Sequence, residues 1–232
     1  MSISEFIEKI KHKWMKLRLQ PIRVFCLHHV CEQFDAEAMY PCDWMVLDEF
    51  KKQIIALRSQ GYQFISLTSA YEHLKNDWFR RKKYAVLTFD DGYKSLKEVL
   101  PWLEEQKIPA TLFINGKYLD GKSYRETPKE QYLTYDELFS LTNPLIEIGH
   151  HGWEHTAATE MTEEELLESL QKNIEILSAH PRYIPFWAYT WGRHTKSNDN
   201  CLLNTGIIPV LIEGNKNYKR IGSINRENFM RL

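Results

Sequence analysis

The chain has 232 residues, of which 43% are hydrophobic and 26% charged, enough apolar side chains for one sizeable α/β domain rather than two small ones. Thirty Lys and Arg against 31 Asp and Glu leave a net charge of −1, without the basic footprint of a nucleic-acid-binding protein. No stretch reaches the length of a membrane span, and cysteines 26, 31, 42 and 201 form neither a C-x-x-C pair nor zinc-finger spacing, so free thiols are expected.

Residues 1–20 place Ile3, Phe6, Ile7, Ile10, Trp14 and Leu17 at helical spacing, with Lys9, Lys11, Lys13, Lys16 and Arg18 on other faces. Such a basic amphipathic helix packs on its own domain in the common case; the alternative is peripheral contact with an anionic membrane. This opening segment has no long apolar core and no small-residue cleavage site, so a cytoplasmic location is expected.

From residue 21 onward, short apolar runs alternate with helical stretches, the mark of βαβ units. "IRVFCLHHV" predicts a strand, "LDEFKKQIIALRSQGY" a helix ending at Gly61, and "YQFISL" a strand. "TSAYEHL" predicts a short helix capped by Thr68 or Ser69, and "KYAVLTF" a buried strand. The helix "KSLKEVLPWLEEQ" carries Pro101, which should kink or restart it. "ATLFI" and "LIEIG" predict strands on either side of a helix in "TYDELFSL", where Thr134 and Glu137 have capping-box spacing. "TEEELLESLQKNIEILSAH" predicts a long helix capped by Thr162, and "IPFWAY" and "IIPVLI" complete the strands.

These strands finish repeatedly in chemically capable residues: His28-His29, Asp90-Asp91, Asn115, His150-His151, Trp191 with Arg193, and Glu213. In parallel α/β folds, ligands gather at the carboxyl ends of the strands, so the pattern predicts a functional rim. Within "EIGHHGWEHT", His151 and His155 are four apart, which on a helical turn would aim both imidazoles one way. Two imidazoles and one carboxylate leave a tetrahedral ion with an open position, the arrangement of catalytic zinc. Neighbouring residues at a strand end point in different directions, so one of Asp90 and Asp91 can ligate an ion while the other serves as base. Alone, "DDG" reads most simply as a turn and H-x-x-x-H as ordinary histidines; both at strand ends of one chain point to a site.

"TFDDG", followed about sixty residues on by H-x-x-x-H, resembles the polysaccharide deacetylase family, the NodB-like carbohydrate esterases, from about residue 21 to the end. "VFCLHHV", "LDEFKKQIIALRSQGYQFISLTSAYEHL" and "FWAYTWGR" resemble segments of its poly-N-acetylglucosamine deacetylase branch, whose last motif is circularly permuted. The resemblance implies a catalytic domain over residues 21–232, folded as a distorted (β/α) barrel with fewer than eight units. It implies a metal-dependent hydrolase that removes N-acetyl groups from an acetylated amino sugar or glycan. Asp91, His151 and His155 become ligands of one divalent ion, zinc or else cobalt or nickel. Asp90 becomes the general base and His28 the general acid, with His29 its competitor. Tyr189, Trp191, Asn115 and Arg193 are the candidate substrate-binding residues.

The sequence departs from the family pattern at Leu27, at Gly152 (where Ser or Thr is common) and at Tyr189-Thr190-Trp191. The arginine that steadies the base has no clean match, which leaves Arg193 and Arg182 as candidates. The alternatives are a two-metal phosphoesterase or other metal-dependent hydrolase, an O-acetyl esterase, a catalytically impaired glycan-binding member of the fold, and a membrane-surface scaffold. A phosphoesterase would need more acidic residues at the rim than are present.

Overall fold

A computed structural model describes residues 5, 19–33, 43–121, 131–214, 216–218 and 222–231. The predicted helix over residues 1–20 falls outside them except for residues 5, 19 and 20, and Cys42 is outside as well. In chain order the elements are β1 Ile22–Leu27, β2 His29–Cys31, β3 Trp44–Val46, α1 Leu47–Ser59, β4 Tyr62–Phe64 and α2 Leu67–Asn76. Then come β5 Lys83–Phe89, α3 Leu96–Glu105, β6 Ala110–Ile114, α4 Tyr135–Phe139, β7 Ile146–His150 and α5 Glu163–Leu177. The C-terminal part adds β8 Tyr183–Ala188, α6 Lys196–Asn204, β9 Ile208–Leu211, β10 Ile224–Asn225 and β11 Glu227–Asn228.

One parallel sheet runs β10-β9-β8-β7-β6-β5-β1-β11, with β4 against the start of β5. Its two ends are pieces of one short stretch: β10 pairs with β9, β11 pairs with β1, and Arg226 alone separates them. Residues 224–228 therefore stitch the sheet into a nearly closed barrel of fewer than eight units. Neither two-residue strand was predicted, because pairs this short carry no readable periodicity.

Alternation along the strands builds the interior. Ile22 and Val24 on β1, Tyr84 and Val86 on β5, Phe113 on β6, Ile184, Phe186 and Ala188 on β8, Val210 on β9 and Ile224 on β10 form one buried cluster. The intervening residues Phe25, Leu27, Leu87, Phe89, Leu112 and Ile148 form another with the apolar faces of α1 and α3. Gly149 is needed on the interior row of β7, since a Cβ there would stand 2.8 Å from the Phe113 ring and 2.9 Å from the Phe186 carbonyl. One end of the barrel is closed by Leu67, Ala70 and Leu74 of α2, whose first N–H groups donate to the Glu147 carboxylate.

The predicted capping box Thr134/Glu137 is present, and the predicted cap Thr162 likewise forms a box, with Glu165. The cap of α2 is Ser66, whose hydroxyl accepts from the Ser69 N–H, rather than Thr68 or Ser69; the helix starts two residues earlier than its polar run suggests. α3 continues through Pro101, whose exposed position leaves the freed carbonyl to water.

Candidate metal and catalytic site

Continuing each interior row past the end of its strand leads into one cavity. Cys26 and His28 extend the row of β1, Thr88 and Asp90 that of β5, and Arg226 that of β10. The cavity holds about 150 Å³ and is lined by Cys26, His28, Asp90, Asp91, His151 and His155, with Tyr189, Trp191 and Arg226 among its other walls.

Asp90 and Asp91 diverge as expected for neighbours at a strand end. The Asp91 backbone turns into the left-handed region, φ 70°, followed by Gly92 at 76°. This swings the Asp91 carboxylate onto the histidines, with Oδ1 3.2 Å from His151 Nε2 and 2.9 Å from His155 Nε2. Burial by itself would raise the Asp91 carboxyl, but His155 and His151 hold it well below the usual carboxylate range.

The two imidazoles do not meet on a helical turn, as the four-residue spacing suggested. Residues 151–157 are irregular, and the chain reverses through positive φ at Gly152 (84°) and His155 (58°). Asp91, His155 and Trp191 are three of the four non-glycine residues with positive φ among the described residues, so unusual backbone is concentrated at this site. Three hydrogen bonds hold the reversal: Asn115 Nδ2 donates to the carbonyls of His151 (2.6 Å) and Gly152 (3.2 Å), and Thr190 Oγ1 donates to that of His151 (2.9 Å).

His151 Nδ1 faces the Ala188 carbonyl at 2.9 Å, so Nδ1 carries the proton and Nε2 offers a lone pair toward Asp91. Burial lowers the His151 pKa, yet Asp90 and Asp91 outweigh it and set the ring above its ordinary value. The next histidine is different. His150 faces away, its Nε2 3.0 Å from the Tyr183 hydroxyl, and burial pushes it down to about 3, so it is a neutral core residue.

Asp90 receives two hydrogen bonds from the fully buried Arg226, Nη1 to Oδ1 at 2.5 Å and Nη2 to Oδ2 at 2.9 Å. Burial would raise this carboxyl too, but Arg226, with His151 and His28 behind it, holds it below its ordinary value, so Asp90 stays ionised. Arg226 also reaches Thr88 Oγ1 at 3.1 Å. This is the arginine the sequence left unassigned. Arg193 pairs with Glu160 on the surface, and Arg182 immediately precedes β8, at the opposite end of that strand. No local signal singled out Arg226, because the two-residue strands on either side of it are too short to show a period.

Of the other predicted residues, His28 lies half-buried in the cavity, while His29 is sandwiched between Trp44 (4.0 Å) and Tyr93 (3.8 Å) with Nδ1 3.0 Å from Ser95 Oγ. Tyr189 lines the cavity from a buried position stacked on His194, and half-exposed Trp191 stands edge-on to His155 at 4.8 Å. Asn115 and Arg193, expected to bind substrate, do not line the cavity; Asn115 spends its amide on the histidine loop.

Among the described residues, Asp91, His151 and His155 offer ligand atoms that converge within 4.8 Å. Ligand atoms around a tetrahedral ion at roughly 2.0–2.1 Å stand about 3.3 Å apart, close to the 3.2 and 2.9 Å found here. The buried Asp91 Oδ1 has no hydrogen-bond donor of proper geometry. The donor set thus fits a divalent cation.

Residues 79–208, more than half of the chain, match the family model described as polysaccharide deacetylase. The chain belongs to the polysaccharide deacetylase family. The chain is also similar to a curated relative, the poly-beta-1,6-N-acetyl-D-glucosamine N-deacetylase of Escherichia coli K12, 25% identical over 142 residues. That match covers 57% of this chain and 21% of the relative, so the chain spans about a fifth of the length of that much longer protein. The barrel is shared with IcaB from Ammonifex degensii (TM-score 0.72, 19% identity, 91% of this chain and 92% of that one). It is also shared with the Streptococcus pyogenes deacetylase PplD, solved with acetate (TM-score 0.73, 17% identity, 91% and 93%). At these identities the solved structures bear on the fold, which is the NodB-like (β/α) barrel.

Proposed function

We propose that this deacetylase-family barrel hydrolyses the N-acetyl group of an acetylated amino sugar or glycan, using one divalent ion held by Asp91, His151 and His155. The carrying observation is that this triad, the arginine-held Asp90 and His28 all open into one cavity. Two imidazoles and a carboxylate favour zinc, with cobalt or nickel as substitutes.

A bound divalent ion supplies Lewis-acid polarisation of the acetyl carbonyl and lowers the pKa of water. Asp90, kept ionised and fixed in orientation by Arg226, takes the proton of the attacking water. Its Oδ2 lies 3.9 Å from His151 Nε2, so the base stands beside the ion-holding triad. His28, which opens into the same cavity, gives a proton to the nitrogen as the C–N bond breaks, and the products are acetate and the amine. A cavity of about 150 Å³ is smaller than the roughly 300–1,000 Å³ of pockets that engulf a drug-sized ligand. It suits an acetamido group, with the rest of the glycan lying across the mouth against Trp191.

The test is acetate release from acetylated glucosamine oligomers. Asp90→Asn and His28→Ala should each lower kcat by about 10²–10⁴-fold. Full activity in either folded variant contradicts the assigned roles. We also propose a cytoplasmic location with residues 1–20 in peripheral contact with the inner face of the membrane, the contact being the reading that their basic amphipathic pattern supports as the alternative to packing on the domain. The full chain should then sediment with phosphatidylserine vesicles in a salt-sensitive way, and a chain lacking residues 1–20 should not. Equal sedimentation of the two would remove the segment from that role.

A further inference from the structure

A second set of donor atoms shares the cavity. Cys26 is 3% exposed, lies on the interior row of β1 two residues before His28, and donates its S–H to Asp90 Oδ2 at 3.4 Å. Donor atoms of Cys26, His28 and Asp90 all lie within 4.8 Å of one another, and all three side chains face the cavity. We propose that Cys26, His28 and Asp90 form a second cation site, separate from Asp91, His151 and His155, that a thiophilic ion such as zinc or cadmium fills when in excess, blocking the cavity.

The donor set fits such an ion. Thiolate with imidazole and carboxylate selects zinc or cadmium over magnesium or manganese, which prefer oxygen. With Zn–S near 2.3 Å and Zn–O about 2.0–2.2 Å, a tetrahedral ion holds sulfur and oxygen roughly 3.5 Å apart, against the 3.4 Å present between Cys26 and Asp90.

The carboxylate has room for it. Asp90 has about four acceptor positions, of which Arg226 occupies two and the Cys26 S–H one. Burial pushes the thiol well above its ordinary range, so sulfur keeps its proton until an ion displaces it. On binding, the S–H bond breaks, a sulfur–metal bond forms, and the proton leaves to solvent. The Oδ2 lone pair that accepted the S–H is then free to turn to the ion. No oxidant or other reactant is required.

Placement explains why this site fills second. The Asp90 charge is already balanced by Arg226, and a second dication must stand beside the first, since Asp90 Oδ2 is 3.9 Å from His151 Nε2. Its affinity is therefore lower than that of the triad. Occupancy removes Asp90 and His28 from proton transfer together, so the functional consequence is inhibition by excess metal.

The test needs no acetate release, so it is independent of the glycan reading. The metal-free full chain is titrated with Cd²⁺, following ultraviolet cadmium–thiolate charge-transfer absorption and, by equilibrium dialysis, the equivalents bound. The wild type should bind two equivalents, with the thiolate band rising during the second. Cys26→Ser should bind one and lose the band, its retained first equivalent reporting an intact triad. His28→Ala, which keeps the sulfur, should weaken the second equivalent roughly tenfold or more, and Cys201→Ser should behave as wild type. A wild type that binds one equivalent without the band overturns the proposal, as does a band that persists in folded Cys26→Ser.

Discussion

Replacing Arg226 with Met removes the guanidinium that donates both hydrogen bonds to Asp90 while keeping an apolar side chain in the barrel seam. Asp90 and Arg226 are 3% and 1% exposed, and the pair makes two hydrogen bonds at 2.5 and 2.9 Å, so the two charges face each other away from bulk solvent. Deleting one partner of such a buried pair costs about 3–5 kcal/mol, because the surviving charge is left uncompensated. The pH dependence fixes the cause. In the wild type the Asp90 carboxyl titrates below its unfolded value, so its contribution is present above about pH 4 and lost as pH falls through the folded pKa. In Arg226→Met the largest lowering influence is gone while burial remains, so the carboxyl should move up past its unfolded value and the penalty should grow as pH rises past about 4. Urea unfolding of metal-free protein should therefore show a deficit of about 3–5 kcal/mol near pH 7 that shrinks toward pH 4. The double variant Asp90→Asn/Arg226→Met should recover at least about 1 kcal/mol over the sum of the single losses. A deficit below about 1 kcal/mol, one that does not vary with pH, or strict additivity would refute the account of how Asp90 is held.

Asn115→Ala removes both amide hydrogen bonds to the histidine loop, so stability should fall by about 1–3 kcal/mol and zinc affinity by about 10–100-fold in a chelator competition, with substrate KM unaffected. An unchanged zinc affinity would return Asn115 to a purely structural role. Proton competition should be visible too. The metal-free His151 ring titrates above its ordinary value of about 6.5, so below that raised pKa apparent zinc affinity should fall by about tenfold per pH unit. The same raised pKa contributes stability to the metal-free protein that is present below about pH 6.5 and lost as pH rises through the folded value, and calorimetry with and without zinc separates the two effects.

What was legible in the sequence follows from range. Asp90, Asp91, His28 and His151 announce themselves because each sits just past an apolar run, and in a parallel barrel strand ends converge whatever the loops do; His155 was found through its four-residue spacing from His151. Thr134 and Thr162 are legible because a capping box is complete within four residues. Arg226 was hidden because its meaning lies in a carboxylate 136 residues earlier and in a two-residue strand too short to show a period. Asn115 misled for the opposite reason: its position at a strand end was read correctly, but which way its amide turned depended on the loop that Gly152 and His155 reverse. The spacing of His151 and His155 singled out two rings that the structure does bring to Asp91, but by way of a helical turn that the chain does not form.

The most direct test of the central claim is acetate release from an N-acetylglucosamine oligomer by chelator-stripped protein, followed as zinc is returned up to one equivalent. Activity should be abolished by stripping, rise linearly to a plateau at one equivalent, and fail to return in Asp91→Ala. Undiminished release from metal-free protein, or full zinc-dependent activity in Asp91→Ala, would contradict the assignment of Asp91, His151 and His155 as the site of a catalytic ion.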